Sequence, residues 1–221
     1  MKNKIVFLLL SYIVVSASFT QTFNWAALSE ENKNSVYVDA GLEFGMIARA
    51  GYSHSLNLFF PVIAHVDVTV PSGEYLFDDL KTEIGGNIRL VSYNNFQFSG
   101  KVNGVFRKYD GSFVRITNFG CDASGIIGYY RPKWFAAGEF GFDKAIVSHF
   151  KHTDAYLGNY ADAVDGWYEP DAGGNYYYGL QAGLNFKQSA ITMNTGMIKT
   201  EKFVSTPLLP FYFSLGYGFS F

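Results

Sequence analysis

The chain has 221 residues, 48% hydrophobic and 19% aromatic, with a formal charge of −2 and a mean hydropathy of +0.04. That balance argues against a nucleic-acid binder, which would carry a basic excess. The single Cys121 excludes an intramolecular disulfide framework and reads as a small packed or outward-facing residue rather than a nucleophile. No second long apolar run comes after the N-terminus, which sets aside a helical membrane protein. The remaining chain of about 200 residues is sized for one domain.

Met1 to Lys4 is a short basic region, Ile5 to Val15 is apolar, and Ser16, Ala17 and Ser18 are small. This is the layout of a cleavable secretory signal, expected over residues 1–20. The apolar run is roughly half the ~20 residues that a membrane span requires. No cysteine comes after the small residues, which argues against a lipid anchor. Residues 21–34 read as a lead segment or short helix carrying one amphipathic patch, Phe23 to Leu28.

From residue 35 to residue 221 the apolar residues alternate with polar ones at period two, the signature of strands with two unlike faces. Val36 to Tyr52 places Val36, Val38, Ala40, Leu42, Phe44 and Met46 opposite Tyr37, Asp39, Gly41, Glu43 and Gly45. A second stretch near Leu58 to Val70 sets Val62, Ala64, Val66 and Val68 against Ile63, His65, Asp67 and Thr69. The third, Leu80 to Ser92, has Lys81, Glu83, Asn87 and Arg89 on its polar side, and Asn94-Asn95 turns the chain. The fourth, Phe96 to Arg107, carries Gln97, Ser99, Lys101, Asn103 and Arg107 on that side. In the fifth, Phe113 to Tyr130, Arg115 falls on the apolar face, and a bulge near Ile116 or Thr117 would restore the register. The sixth, Trp134 to Ile146, presents Glu139 and Asp143, and a long loop over 147–174 comes next. The seventh runs Tyr176 to Phe186 and the eighth Ala190 to Lys199.

The last stretch, Phe211 to Phe221, alternates most strictly: large apolar residues on one face, with Ser214, Gly216, Gly218 and Ser220 on the other. With the signal, the alternating strands and the terminal Phe221, the chain resembles small single-chain Gram-negative outer-membrane β-barrels. The resemblance implies an all-β fold, a closed antiparallel transmembrane barrel of 8–10 strands. Nine segments are counted, and an even number is expected. Ten results if Val36 to Val70 hides three strands, eight if one segment lies outside the barrel; ten is the expected count. It also implies integral residence in the outer membrane, contact with lipid and lipopolysaccharide, and an assembly signal at Phe219 and Phe221 read by the barrel-assembly machinery. With the C-terminus in the periplasm, short turns at residues 94–95, 131–132 and 187–188 lie there, and links at 71–79, 147–174 and 200–210 face outward.

The polar side mixes signs: Glu43, Asp67, Glu83, Glu139 and Asp143 against Arg89 and Lys101. In a barrel this narrow the interior holds only side chains, and unpaired charges there are costly, so a paired lumen network is expected. The densest other cluster is Ser148, His149, His152 and Asp154. It could hold a metal if the segment turned helically, or make a hydrolytic set of the kind found in outer-membrane lipid A deacylases and acyltransferases. A solvated loop base explains the same residues, and no motif of those enzymes is present. Asp162, Asp165, Glu169 and Asp171 do not match an EF-hand, while Trp167 and Tyr168 suit an aromatic girdle or a surface ligand at loop 147–174. No metal or cofactor is expected. The functional expectation is a barrel with a structural, surface-interaction or narrow-channel role; the alternative is a lipid-modifying enzyme built on Ser148, His149 and His152.

Overall fold

The protein is described by a computed structural model covering residues 23–28, 31–43, 45–72, 79–158, 164–170, 174–201 and 209–221. The expected signal segment 1–20, and Phe44, Asp162 and Asp171, lie outside the described residues. Among the described residues eleven strands form in chain order: β1 (Asn34–Leu42), β2 (Met46–Asn57), β3 (Pro61–Pro71), β4 (Asp79–Tyr93), β5 (Phe96–Asp110) and β6 (Val114–Arg131), then β7 (Trp134–His152), β8 (Gly166–Tyr168), β9 (Gly174–Phe186), β10 (Ser189–Thr200) and β11 (Phe211–Ser220). One helical turn, α1 (Asp154–Leu157), comes after β7.

Each strand pairs antiparallel with its neighbour, and β1 pairs with β11 through Val36↔Phe219, Val38↔Tyr217 and Ala40↔Leu215. That last pairing closes the sheet. Since β7 pairs directly with both β6 and β9, the closed barrel has ten strands, and β8 is an extra strand on the upper end of β7. Closure leaves the barrel strands no unpaired edge.

The tenth strand was concealed in Val36 to Tyr52. The chain reverses at residues 43–45, where the Glu43 N–H donates to the Gly45 carbonyl at 2.9 Å. Because the link has three residues, odd-numbered positions stay inside on both β1 and β2, so the alternation runs unbroken through a hairpin. The bulge expected near Ile116 or Thr117 is absent: β6 is regular there, and the extra residue is Ile146 of β7, between the pairs Phe119↔Val147 and Gly120↔Ala145. Arg115 is exposed at the upper end of β6 and pairs with Asp110. The link expected from 147 begins only after His152.

The end where β1 begins and β11 finishes, here the lower end, has links of two or three residues at 58–60, 94–95, 132–133 and 187–188. Asn94 and Lys187 take positive φ of 53° and 56°, the conformation of the favoured two-residue hairpin turns. The upper end has links at 43–45, 72–78, 111–113, 153–173 and 201–210.

The distribution of polarity is inverted relative to a water-soluble protein. Val36, Val66, Ile84, Val102, Ile127, Phe140, Leu180, Leu184, Leu215 and Phe219 are exposed on the outer wall, whereas Asp67, Glu83, Lys101, Asn103, Asp122 and Asp143 are buried inside. The apolar core is a small cluster at the lower mouth: Trp25, Ile63, Ile126, Tyr130, Phe135 and Ala137.

Candidate functional site

Inward positions on neighbouring strands lie close enough for side chains to meet across the lumen, and charge decides how they pair. Among the described residues seven buried carboxylates face the lumen, each within 4 Å of a base. Arg49 reaches Glu43 at 3.1 Å and Asp39 and Asp67 at 3.8 Å, and its Nε donates to Thr69 Oγ1 at 3.0 Å. Lys81 lies 3.4 Å from Glu43 and 3.3 Å from Glu83. Lys101 lies 3.2 Å from Asp122 and 2.9 Å from Glu139. Arg107 meets Asp143 at 2.7 Å. An ion stripped of water needs both an opposite charge and hydrogen bonds, and neutral neighbours supply the latter. The Tyr37 hydroxyl donates to Asp67 at 3.0 Å, Tyr177 to Asp122 at 2.6 Å and Ser124 to Glu139 at 2.5 Å. Gln181 donates to the other Glu139 oxygen, and Lys101 sits 5.3 Å above the Tyr177 ring, a cation–π placement.

The lower mouth is filled differently. The lead segment turns at Asn24, with the Ala27 N–H donating to the Asn24 carbonyl at 3.0 Å and the Ala26 N–H to its side-chain oxygen at 3.0 Å. It is a turn, where a short helix was one expectation. Asn24 Nδ2 donates to the Arg131 carbonyl and to Asn185 Oδ1, both at 2.9 Å. This tether seats Trp25, only 5% exposed, among Ile63, Ile126, Tyr130 and Phe135. Tyr130 and Phe135 stack at 5.5 Å, and Arg89 lies 5.8 Å over the Trp25 ring.

Of the residues expected in the lumen network, Glu43, Asp67, Glu83, Lys101, Glu139 and Asp143 are buried together in ion pairs. Arg89 stands apart, on the plug. Arg49 and Asp122 were missed, although both obey the alternation; Arg49 lay beyond the polar residues read from an apparent single strand. Tyr37, Tyr130, Tyr177 and Tyr212 are also buried inward. Their large rings mark the inside as aromatic too, so ring content alone does not tell the two faces apart.

Ser148, His149, His152 and Asp154 do not converge. Ser148 is buried and accepts from Asn118 Nδ2 at 2.8 Å. His149, on the opposite face of the same strand, lies against Trp167 at 4.8 Å between ring centres. His152 is held by Asp165, which accepts from its backbone N–H and Nδ1, each at 2.8 Å, and stacks on Tyr156 at 5.0 Å. Asp154 opens α1. Residues 149 and 152 lie in a strand, not in the helical turn that a two-histidine metal site there would need. Among the described residues, no group of three His, Cys, Asp or Glu is placed to hold a metal ion. At Asp165 the His152 backbone N–H, then its ring, hold the carboxyl below the usual range. No protein-family model matches the chain, and no curated protein matches it either.

Proposed function

We propose that this chain is an integral outer-membrane β-barrel, closed along its lumen, with a structural or surface-interaction role and no catalysis. One observation carries the reading: a closed ten-stranded barrel with its large apolar residues on the outside and its ions within. In water that wall would be a very large exposed apolar patch; in lipid it is the favourable surface, and closure satisfies the backbone. The barrel strands have 9 to 19 residues, enough to cross an outer-membrane apolar band of ~25 Å at a tilt near 40°. Links of only two or three residues at one end, against three long links among the five at the other, fit a periplasmic lower end and an outer upper end.

In this orientation Phe219 and Phe221 present the assembly signal, and the outer wall contacts phospholipid and lipopolysaccharide. The segment after β7, with exposed Trp167 and Tyr168, meets any surface ligand. Two seals in series, the Trp25 plug and the ion-paired layer, favour a closed barrel over a channel. The protein is expected in the outer-membrane fraction, with the unboiled form migrating apart from the boiled form on gels. Recovery in the soluble fraction without that shift would overturn the reading. Discrete conductance steps in planar bilayers would overturn closure. The enzymatic alternative predicts an altered lipid A mass profile when His149 and His152 are replaced by alanine; the unlike faces of Ser148 and His149 lead us to expect no change.

A further inference from the structure

We propose that the outer wall of β6, β7, β9 and β10 carries a furrow for one acyl chain of an anionic phospholipid drawn from the leaflet at the lower rim. The proposal rests on the membrane-spanning reading above. Along these strands the wall dips into three shallow, open hollows of about 540, 530 and 380 Å³, the middle one sharing lining residues with each of the others. Their floor is Ala136, Gly138 and Ala182, and their sides include Ile127, Leu180 and Met193. Ala136 lies opposite Ala182 in the β7–β9 pairing, and Gly138 lies between Leu180 of β9 and Ile127 of β6, so the wall dips where most outward positions are large.

The fold itself does not demand the glycine at 138. A Cβ there would meet nothing nearer than the Gly179 carbonyl oxygen at 3.8 Å, an ordinary contact. At inward Gly179, by contrast, a Cβ would come within 2.2 Å of the Thr195 carbonyl oxygen. Gly138 therefore leaves open space on the outside of a sheet that could carry a side chain.

Depth and charge identify the occupant. From Trp134 to Phe140 the furrow tracks β7 for six residue steps, about 20 Å of strand. At a tilt near 40° this is about 15 Å of depth, close to one leaflet of a ~25 Å band. Phe140 stacks on Tyr176 at 6.1 Å at the upper end. At the foot lies the hairpin Arg131-Pro132-Lys133, with the Arg131 guanidinium 5.6 Å over the Tyr129 ring. Among the described residues the side chains of the lower rim include Lys33, Arg131, Lys133 and Lys187 against Glu31. A basic rim below an apolar furrow one leaflet deep matches a phosphate headgroup above which one chain lies along the wall. Guanidinium and ammonium groups are the phosphate-binding side chains.

The full-length barrel, extracted in a mild non-ionic detergent and mixed with equal amounts of phosphatidylglycerol and phosphatidylethanolamine, tests this by native mass spectrometry. Wild type should retain one phosphatidylglycerol. Gly138→Leu with Ala182→Leu, which fills the furrow without touching the lumen, should lower retention about tenfold. Arg131→Gln with Lys133→Gln should keep a bound lipid but lose the preference for the anionic one. The gel shift on boiling confirms that each variant is folded. Equal retention by wild type and the filled variant in folded protein overturns the furrow alone. A dimer mass that disappears in the filled variant also overturns it, because the face then packs a second copy. Absence of the gel shift in wild type overturns the membrane-spanning reading, and the furrow with it.

Discussion

At the lower mouth Trp25, Tyr130 and Phe135 close the barrel with ring against ring, whereas higher in the same lumen Arg49, Lys81, Lys101 and Arg107 close it with charge against charge. The apolar seal is local: its central ring comes from a segment outside the sheet, and burial rewards it without regard to direction. The ionic seal is built from strand residues fixed by register, so none of its bases can leave without stranding a carboxylate. One seal is therefore separable from the barrel, and the other is part of it.

The largest expected effect breaks the ionic side. Lys101→Met leaves Asp122 and Glu139 buried without their base, which should cost about 3–5 kcal/mol in urea unfolding of the refolded barrel in micelles. Replacing all three, as Lys101→Met with Asp122→Asn and Glu139→Gln, should recover most of that loss. If the single variant unfolds like wild type, the ion pairs are not what fills this layer. On the apolar side, Trp25→Ala should cost up to about 3 kcal/mol, at the low end for truncating a large aromatic because the site lies at a mouth. It should remain silent in planar bilayers, since the ionic layer above is intact. Conductance steps from Trp25→Ala would show that the plug is the only barrier. A smaller effect should come from Tyr177→Phe, which keeps the ring beneath Lys101 and removes the 2.6 Å donation to Asp122. About 2 kcal/mol is expected, the range for a hydrogen bond to a charged group.

The two regions also differed in how far the sequence revealed them. Glu83, Lys101 and Glu139 could be placed inside because each sits in a long run of unbroken alternation, clear of the bulges later in β4 and β7. The plug could not be read so: Phe23 to Leu28 has no strand period, and its fit depends on contacts more than 100 residues away, such as Asn24 to Arg131. Strand number was obscured where links were not polar or changed no parity. Residues 43–45 preserve the alternation, and the β2–β3 link is Leu58-Phe59-Phe60, with Phe59 94% exposed, a turn without the usual turn residues. The histidines after Val147 looked clustered because they are near in sequence. The strand then sends His149 to Trp167 and His152 to Asp165, since alternate residues point to opposite faces.

The smallest effect concerns the upper rim, beyond both seals. Asp165 accepts from the His152 backbone N–H at 2.8 Å, the first cause of its lowered pKa, and from the ring Nδ1 second. A carboxyl depressed below its ordinary 3.8 contributes stability that is present above that value and is lost as pH falls through the lower folded value. Docking of residues 164–168 on β7 should therefore hold down to about pH 4 and loosen below it. Amide exchange at His152, corrected for the intrinsic rate at each pH, reads this directly. Protection should fall on acidification in wild type, whereas Asp165→Ala should be weakly protected at every pH. Because the exposed carboxyl is screened by water, the change should stay confined to this strand end and leave unfolding of the barrel unmoved. Acid loosening of the same size in Asp165→Ala would assign the effect to another group. Loss of the whole barrel over that range would mean that the rim and the ionic layer are coupled, contrary to the separation between a removable surface and a fixed interior.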